Sequence, residues 1–473
     1  MRSRLLLSTK HISLLASTPN RFWPAIAQWS YKSVLLRNTR PILARGFLSS
    51  VANNLVPGTR NLSESNSSKS LTLEEQIPNL YIDKLPEGSE TTPDGYVTAS
   101  FYSFFNIESK SLVQLRYDLL SMNTHLDKVS TRYKIGPQDP QFLTLLKAQI
   151  EKDPHPYVSF SIPIKKIQIV TGRIYVHELG INAQVSFDKE YVRAFRLMLE
   201  TIPELANKVP AFNFALANKR AFKKLHVRIR PLVAAGQDLS LDILANEPEY
   251  LDPSEWHRQI DNLQHNTLQK QGGIQNDSDT PVLIDMRNIY ENKVGKFVGA
   301  ECPDVDTFRE EIDVVKKMYP KDKPIYMYCT GGIRCSVAGA ILKSEGYQSV
   351  KTLRGGVVAY GQWIKEKDAS STSPVESLYV GLNFTFDKRL GERVTSDVLA
   401  HCQQCGQPND TYTNCANKTC NLLFIQCPSC KTEHLNTCGS KECIDAVTHP
   451  HSSKKPTIHS YHERIRPDLV INH

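Results

Sequence analysis

Tyr326-Met-Tyr-Cys-Thr-Gly-Gly-Ile-Arg-Cys-Ser336 is an apolar run that stops at a cysteine and restarts as a helix-forming segment. Pro324 to Tyr328 reads as a buried strand, and Cys335 to Ser344 as the helix that follows at once. Between them lie Thr330, Gly331, Gly332 and Ile333, four residues separating Cys329 from Arg334. Two adjacent glycines allow a tight curve whose backbone N–H groups point inward. A helix N-terminus behind such a curve adds positive potential, and Arg334 is placed to add a full charge. That setting favours a thiolate, so Cys329 is a candidate nucleophile or sulfur carrier. Thr330 offers a further hydroxyl donor, and Cys335, six residues on, is a candidate resolving thiol for a transient disulfide.

Outward from this loop, strands and helices alternate from Pro253 to Trp363, which predicts a parallel α/β domain over residues 250–366. Pro281-Val-Leu-Ile-Asp-Met-Arg287 is a second buried-type strand. Sites in open α/β sheets lie at the C-terminal strand ends, where Cys329 and the pair Asp285 and Arg287 both fall. The pair is read mainly as a buttress for the loop, with a catalytic role as the alternative.

Residues 95–240 predict an α+β domain of the ferredoxin-like order β-α-β-β-α-β. Its strands are read at 95–107, 167–176, 181–187 and 226–233, and its helices at 111–126 and 190–202. Residues 127–156 are read as a polar surface insertion, 51–94 as a disordered linker, 366–376 as a second linker and 446–473 as a flexible tail.

The formal charge of +8 is an effect of the N-terminus. Residues 1–60 hold nine Lys and Arg and no Asp or Glu, leaving 48 basic against 49 acidic residues in the rest. Global charge is therefore no argument for nucleic acid, and any RNA contact must use local patches. The candidates are Lys219, Arg220, Lys223, Lys224, His226, Arg228 and Arg230, and a second group of Lys388, Arg389 and Arg393. Tyr326, Tyr328 and Tyr360 are candidates for stacking on a flipped base. The acid-free, Arg- and Ser-rich segment 1–50, with a processing-like Arg45-Gly-Phe-Leu-Ser-Ser50, predicts a mitochondrial presequence and a matrix location. No run is long and apolar enough for a membrane span.

Eight of the eleven cysteines lie between Cys402 and Cys443, in a module read over residues 378–445. They form four pairs: Cys402/Cys405, Cys415/Cys420, Cys427/Cys430 and Cys438/Cys443. Such knuckles suit one or two four-cysteine zinc sites. One interleaved pairing joins the first pair with the third and the second with the fourth; an iron–sulfur cluster is a less favoured alternative. His401 and His434 flank the cluster. Nothing suggests a flavin, haem or other organic cofactor.

Protein tyrosine phosphatases and rhodaneses both place a cysteine at a strand-to-helix loop ending in arginine. Phosphatases need about five intervening residues to cradle a phosphate; four suit a sulfur or persulfide. Ile284-Asp-Met-Arg-Asn288, Glu291, the Cys329–Arg334 loop and Leu353-Arg-Gly-Gly356 resemble a rhodanese domain. With Gly172-Arg-Ile-Tyr175, Gly180-Ile-Asn-Ala-Gln184, Asp306-Thr-Phe-Arg309, Gly391-Glu-Arg393 and Ala400-His-Cys402, the chain resembles the bacterial tRNA uridine hydroxylase family over residues 96–443. It departs from that family at Leu179, before Gly180, and at Ser336, where bacterial members tend to carry Glu. The resemblance implies oxygen-dependent hydroxylation of wobble uridine at carbon 5, an essential Cys329 and a tRNA anticodon stem-loop as partner. A sulfurtransferase carrying a persulfide on Cys329, and a non-enzymatic RNA-binding scaffold, are the alternatives.

Overall fold

The computed structural model describes residues 72–85, 95–154, 168–217, 219–233, 241–269, 279–370 and 375–449, with 460, 463 and 471. The predicted presequence lies outside the described residues, as does most of the predicted tail.

The N-terminal module is a five-stranded sheet in the order β4-β1-β3-β2-β5. Its strands are β1 (Tyr96–Phe104), β2 (Thr171–His177), β3 (Gly180–Asp188), β4 (Asn213–Ala217) and β5 (Leu225–Ile229). The first four form the ferredoxin-like sandwich, so its closing strand is Asn213–Ala217, antiparallel to β1. The expected closing strand near His226 is instead an extra edge strand, parallel to β2. Sequence periodicity missed β4 because five residues, two of them alanine, carry little strand signal.

Helices α2 (Leu112–Tyr133), α3 (Phe142–Lys152) and α4 (Val192–Glu200) cover one face of this sheet. The predicted insertion over 127–156 is therefore largely structural. Val129 ends the buried stripe of α2, and Phe142 and Leu146 of α3 enter the same core. Part of the predicted linker is also folded. The short helix α1 (Leu73–Gln76) opens on a Thr72/Glu75 capping box, and Ile77 and Leu80 join the core. Asp83 then accepts from Arg196 of α4 at 2.7 and 2.9 Å, both side chains being sealed from solvent. A buried guanidinium needs such a partner, and the chain supplies it from 113 residues away.

The second module is a parallel sheet, β6-β10-β9-β7, made of Glu249–Leu251, Val350–Leu353, Ile325–Tyr328 and Val282–Asp285. Helices α5 (Pro253–Gln269), α6 (Ile289–Val294), α7 (Phe308–Met318), α8 (Ile333–Ser344) and α9 (Gly356–Ser370) complete it. Two apolar clusters, one around Met327 and Val337 and one around Trp256 and Phe297, sandwich the sheet. That explains why β7 and β9 are buried at every position instead of alternating. The fold is rhodanese-like.

The Cys-rich module begins with β11 (Tyr379–Asn383), which pairs with both β12 (Glu392–Arg393) and β8 (Gly295–Phe297) of the second module. A hairpin of β13 (Tyr412–Asn414) and β14 (Leu423–Ile425) holds Cys415 and Cys420 in its loop, and two short helices, α10 (Pro428–Glu433) and α11 (Lys441–Thr448), carry Cys430 and Cys443. Helix α11, opened by the Ser440 side chain accepting from Cys443 N, extends past the predicted start of the tail.

Candidate active site

Strand β9 delivers Cys329 to the floor of a cleft, where it is 1% exposed. Gly332 is the N-cap residue of α8 with φ +95°, and its N–H donates to the Cys329 sulfur at 3.1 Å. A β-carbon there would sit 2.7 Å from the Tyr102 hydroxyl, so glycine serves both the turn and the close approach. The N-terminus of α9 seals the loop from behind: Val357 and Val358 donate to the carbonyls of Cys329 and Thr330 at 3.0 and 3.1 Å.

Burial alone would raise the Cys329 pKa. The hydrogen bond from the Cys335 thiol, the Arg334 charge and the amides of Cys335 and Gly332 outweigh it, bringing the pKa to about 6. Cys335 is pushed the other way, well above a normal thiol, by burial and by the neighbouring Cys329. The pair is therefore a thiolate and a thiol at neutral pH. The thiolate stabilises the fold fully above about 9, its ordinary value, and this contribution fades as pH falls to about 6. The ultraviolet thiolate absorbance of the wild type minus that of Cys329→Ser should accordingly rise through about pH 6; a midpoint near 9 would refute the cradle.

Arg334 does not point its fork at the sulfur. It grips Glu291 with two bonds of 2.8 and 2.9 Å, and Thr330 spends its hydroxyl on the same carboxylate at 2.8 Å. Thr330 is thus a strut, not the extra donor to the sulfur that its position suggests. Glu291 is fully buried, and although burial would raise its pKa, Arg334 holds it below the usual carboxylate range. Glu291 also closes a capping box with Asn288 at the start of α6, which is the local signal that could have marked it. Beneath it, Glu311 of α7 is buried and its Oε2 has no hydrogen-bond partner among the described residues. Burial raises its pKa to about 8, with Arg334 opposing and Glu291, Asp285 and Cys329 assisting, so it is a neutral acid at pH 7.

Asp285 and Arg287 are fully buried and do not line the cleft. Arg287 holds Asp285 at 2.8 Å twice and donates to Gly295 O and the Tyr379 hydroxyl, joining β7 to β8 and β11. Asp285 also accepts from Tyr328 and Asn292. Tyr326, Tyr328 and Tyr360, expected as stacking platforms, belong instead to the core around Trp256 and Phe297. Strand β9 and helix α9 turn these rings away from the loop.

The cleft, of about 230 Å³, is walled by the open face of the N-terminal sheet. Strand alternation explains this wall. Val97, Ala99 and Phe101 face the helices, while Ser100 and Tyr102 face the loop. In register beside them lie Gln184 and Arg173 in one row and Asn182 and Tyr175 in the next, with Asn213 opposite Ser100. Gly180 makes the close pairing possible: at φ +126°, a β-carbon would fall 2.0 Å from Ser103 O. Phe386 of the Cys-rich module closes the rim. Tyr102 bonds Ser336 of α8 at 3.1 Å, tying sheet to loop.

The chain matches family models described as UPF0176 acylphosphatase like domain over 157–233, Rhodanese-like domain over 268–362 and Rhodanase C-terminal over 380–444. A tRNA uridine(34) hydroxylase of Enterobacter sp. (strain 638) is 39% identical over 290 residues, 60% of this chain and 76% of that protein. Proteins of the same name from Photorhabdus laumondii subsp. laumondii, at 38% over 291 residues, and Cronobacter sakazakii, at 39% over 290, cover the same shares. The chain belongs to the tRNA uridine(34) hydroxylase family.

This member of the hydroxylase family holds its eight clustered cysteines in two groups: Cys402, Cys405, Cys427 and Cys430, and Cys415, Cys420, Cys438 and Cys443. The interleaved pairing is the one observed. Within each group every sulfur lies within 4.8 Å of the others, and Cys405 and Cys427 are 3.6 Å apart. Thiolates at ~2.3 Å from one tetrahedral ion stand at similar separations. Backbone amides of Cys427 and Cys438 donate to Cys402 and Cys415, as the second shell of a thiolate site does. Both groups fit a metal ion. His434 lies near Cys430 with Glu433, whereas His401 belongs to neither group.

The two basic runs meet in this hydroxylase-family fold, in reduced form. Arg389 is paired with Asp387, and Arg393 with Asp410, so both serve the module itself. Arg173, Lys223, Lys224, His226 and Lys388 line one groove of about 730 Å³.

Proposed function

We propose that the protein hydroxylates carbon 5 of the wobble uridine of tRNA, with molecular oxygen as oxidant, in the mitochondrial matrix. One observation supports this above the alternatives: the Cys329 cleft has walls from all three modules, including Arg173, Asn182 and Phe386. A persulfide carrier handling small donors has no need of the outer two walls. The amides of Asn182, Gln184 and Asn213 match the donors and acceptors of a pyrimidine edge, and Tyr175 and Phe386 offer ring faces.

Replacing C5–H by C5–OH with oxygen consumes two electrons and two protons and releases one water. Cys329 as thiolate and Cys335 as thiol can join as a disulfide, releasing two electrons and one proton. The second proton comes from solvent, and two equivalents of an external thiol, leaving as their own disulfide, would reset the pair. Zinc is the ion best matched to two four-thiolate sites, where its part is structural.

Mass spectrometry of nucleosides from separated mitochondrial and cytosolic tRNA tests the reading. Cells lacking the protein should lose 5-hydroxyuridine and its derivatives from the mitochondrial pool. An unchanged content in both pools would refute the activity, and a loss confined to the cytosol would refute the compartment.

A further inference from the structure

We propose that the groove between β5 and the Phe384–Leu390 segment is a phosphate track that leads single-stranded RNA into the Cys329 cleft. The proposal rests on the reading of the chain as a tRNA-modifying enzyme and assigns the surface that holds the substrate backbone.

Arg173 and Phe386 line both the groove and the cleft, so the two spaces adjoin. Arg173 marks the junction: its guanidinium donates to Phe386 O at 3.2 Å and lies 5.7 Å from the centre of the Phe222 ring. Lys388 N donates to Ala221 O at 3.2 Å, which fixes the two walls at a set width. Lys223 and Lys224 stand on one wall and Lys388 on the other, all three exposed. None of the three forms an ion pair among the described residues. Elsewhere on the surface, Lys128, Lys316 and Lys365 each do, with Asp153, Glu345 and Glu392. The carboxylate that enters the groove, Asp387, is neutralised by Arg389 at 2.6 Å.

An exposed lysine without a carboxylate partner stays hydrated and available to an incoming anion. Three of them around a groove bordered by the part-exposed Phe386 make the combination that holds unpaired nucleic acid: cations for the backbone, a ring face for a base. An acidic peptide would use the lysines but has no use for the ring or for the adjoining cleft.

The test compares full-length wild type with a variant carrying Lys223→Ala, Lys224→Ala and Lys388→Ala. A synthetic anticodon stem-loop with uridine at the wobble position is the probe, bound at several salt concentrations. The slope of log affinity against log salt should become shallower by about 2 to 3, at ~0.7–0.9 per lost phosphate contact, and affinity at low salt should fall by at least ~tenfold. A control carrying Lys128→Ala, Lys316→Ala and Lys365→Ala should keep the wild-type slope. Equal slopes for wild type and the groove variant would overturn the proposal, as would equal competition by an acidic peptide such as polyglutamate. Hydroxylation is scored separately. A groove-dependent slope in a protein that makes no 5-hydroxyuridine leaves the track standing and removes the hydroxylase reading. Full hydroxylation with an unchanged slope does the reverse.

Discussion

Cys329→Ser should abolish 5-hydroxyuridine formation on substrate tRNA while leaving the protein folded. The serine oxygen fills nearly the same volume and can still accept from Gly332 N, so the loop has no reason to rearrange. What it cannot do is ionise: the cradle brings a thiol to about 6, and a hydroxyl starts far above any pH at which the protein is folded. Loss of an essential nucleophile typically costs on the order of 10³-fold or more. The assay is nucleoside mass spectrometry after incubating the purified variant with unmodified tRNA, alongside a thermal melt. Wild-type product from a folded Cys329→Ser variant would remove the thiolate from the reaction and favour a scaffold role. Cys335→Ser in the same assay reads the electron source. A loss comparable to that of Cys329→Ser supports the dithiol pair; full activity excludes it.

Removing metal should unfold the Cys-rich module. Apart from an apolar cluster of Phe384, Ala400, Tyr412 and Ile425 against Tyr290 and Val294, its core is made largely of the ligands themselves: Cys415, Cys420, Cys438 and Cys443 cluster with Leu422 and Phe424, and Cys402, Cys427 and Cys430 cluster together. Strands β13 and β14 have three residues each and α10 six, too little to persist without a staple. Apparent binding energies of ~10–16 kcal/mol for structural four-ligand sites are of the size needed. Native mass spectrometry should find two ions per chain, falling to one in Cys420→Ser. A chelator should empty the first site before the second, because Cys405 is exposed and the four ligands of the other site are all buried. A protein that keeps its tertiary signals with no ion bound would refute this.

These two expectations show which parts of the molecule are legible in sequence. The Cys329 loop is legible because its function is local: strand, cysteine, two glycines, arginine and helix are contiguous, and sterics alone specify the curve. The cysteine grouping is half-legible, since spacing names the knuckles and leaves their pairing open. The cleft is not. Its wall comes from β1, β2, β3 and β4, and Phe386 reaches it from more than 200 residues beyond Arg173. Alternation in Gly180-Ile-Asn-Ala-Gln184 and in Tyr96–Phe104 shows one polar face, yet cannot say what that face looks at. Arg334 is legible from its charge, and Glu291 from the rhodanese resemblance, but their pairing across 43 residues is not, since locally Glu291 looks like a routine helix cap. Asp83 fell inside a stretch of linker composition because one buried ion pair does not alter composition.

The pairing of β8 with β11 has a consequence for synthesis. Arg287 is fully buried, and two of its partners, Tyr379 and Asn383, lie 92 and 96 residues later in the chain. As the ribosome releases the polypeptide in order, the domain that carries Cys329 emerges with a guanidinium whose far-side ligands are still untranslated. It cannot settle into its final form until β11 arrives. A stop codon between the second and third modules would thus yield a product with an open sheet edge and a guanidinium that keeps Asp285 but lacks its two far-side acceptors, a substrate for chaperones and proteases and not a smaller enzyme.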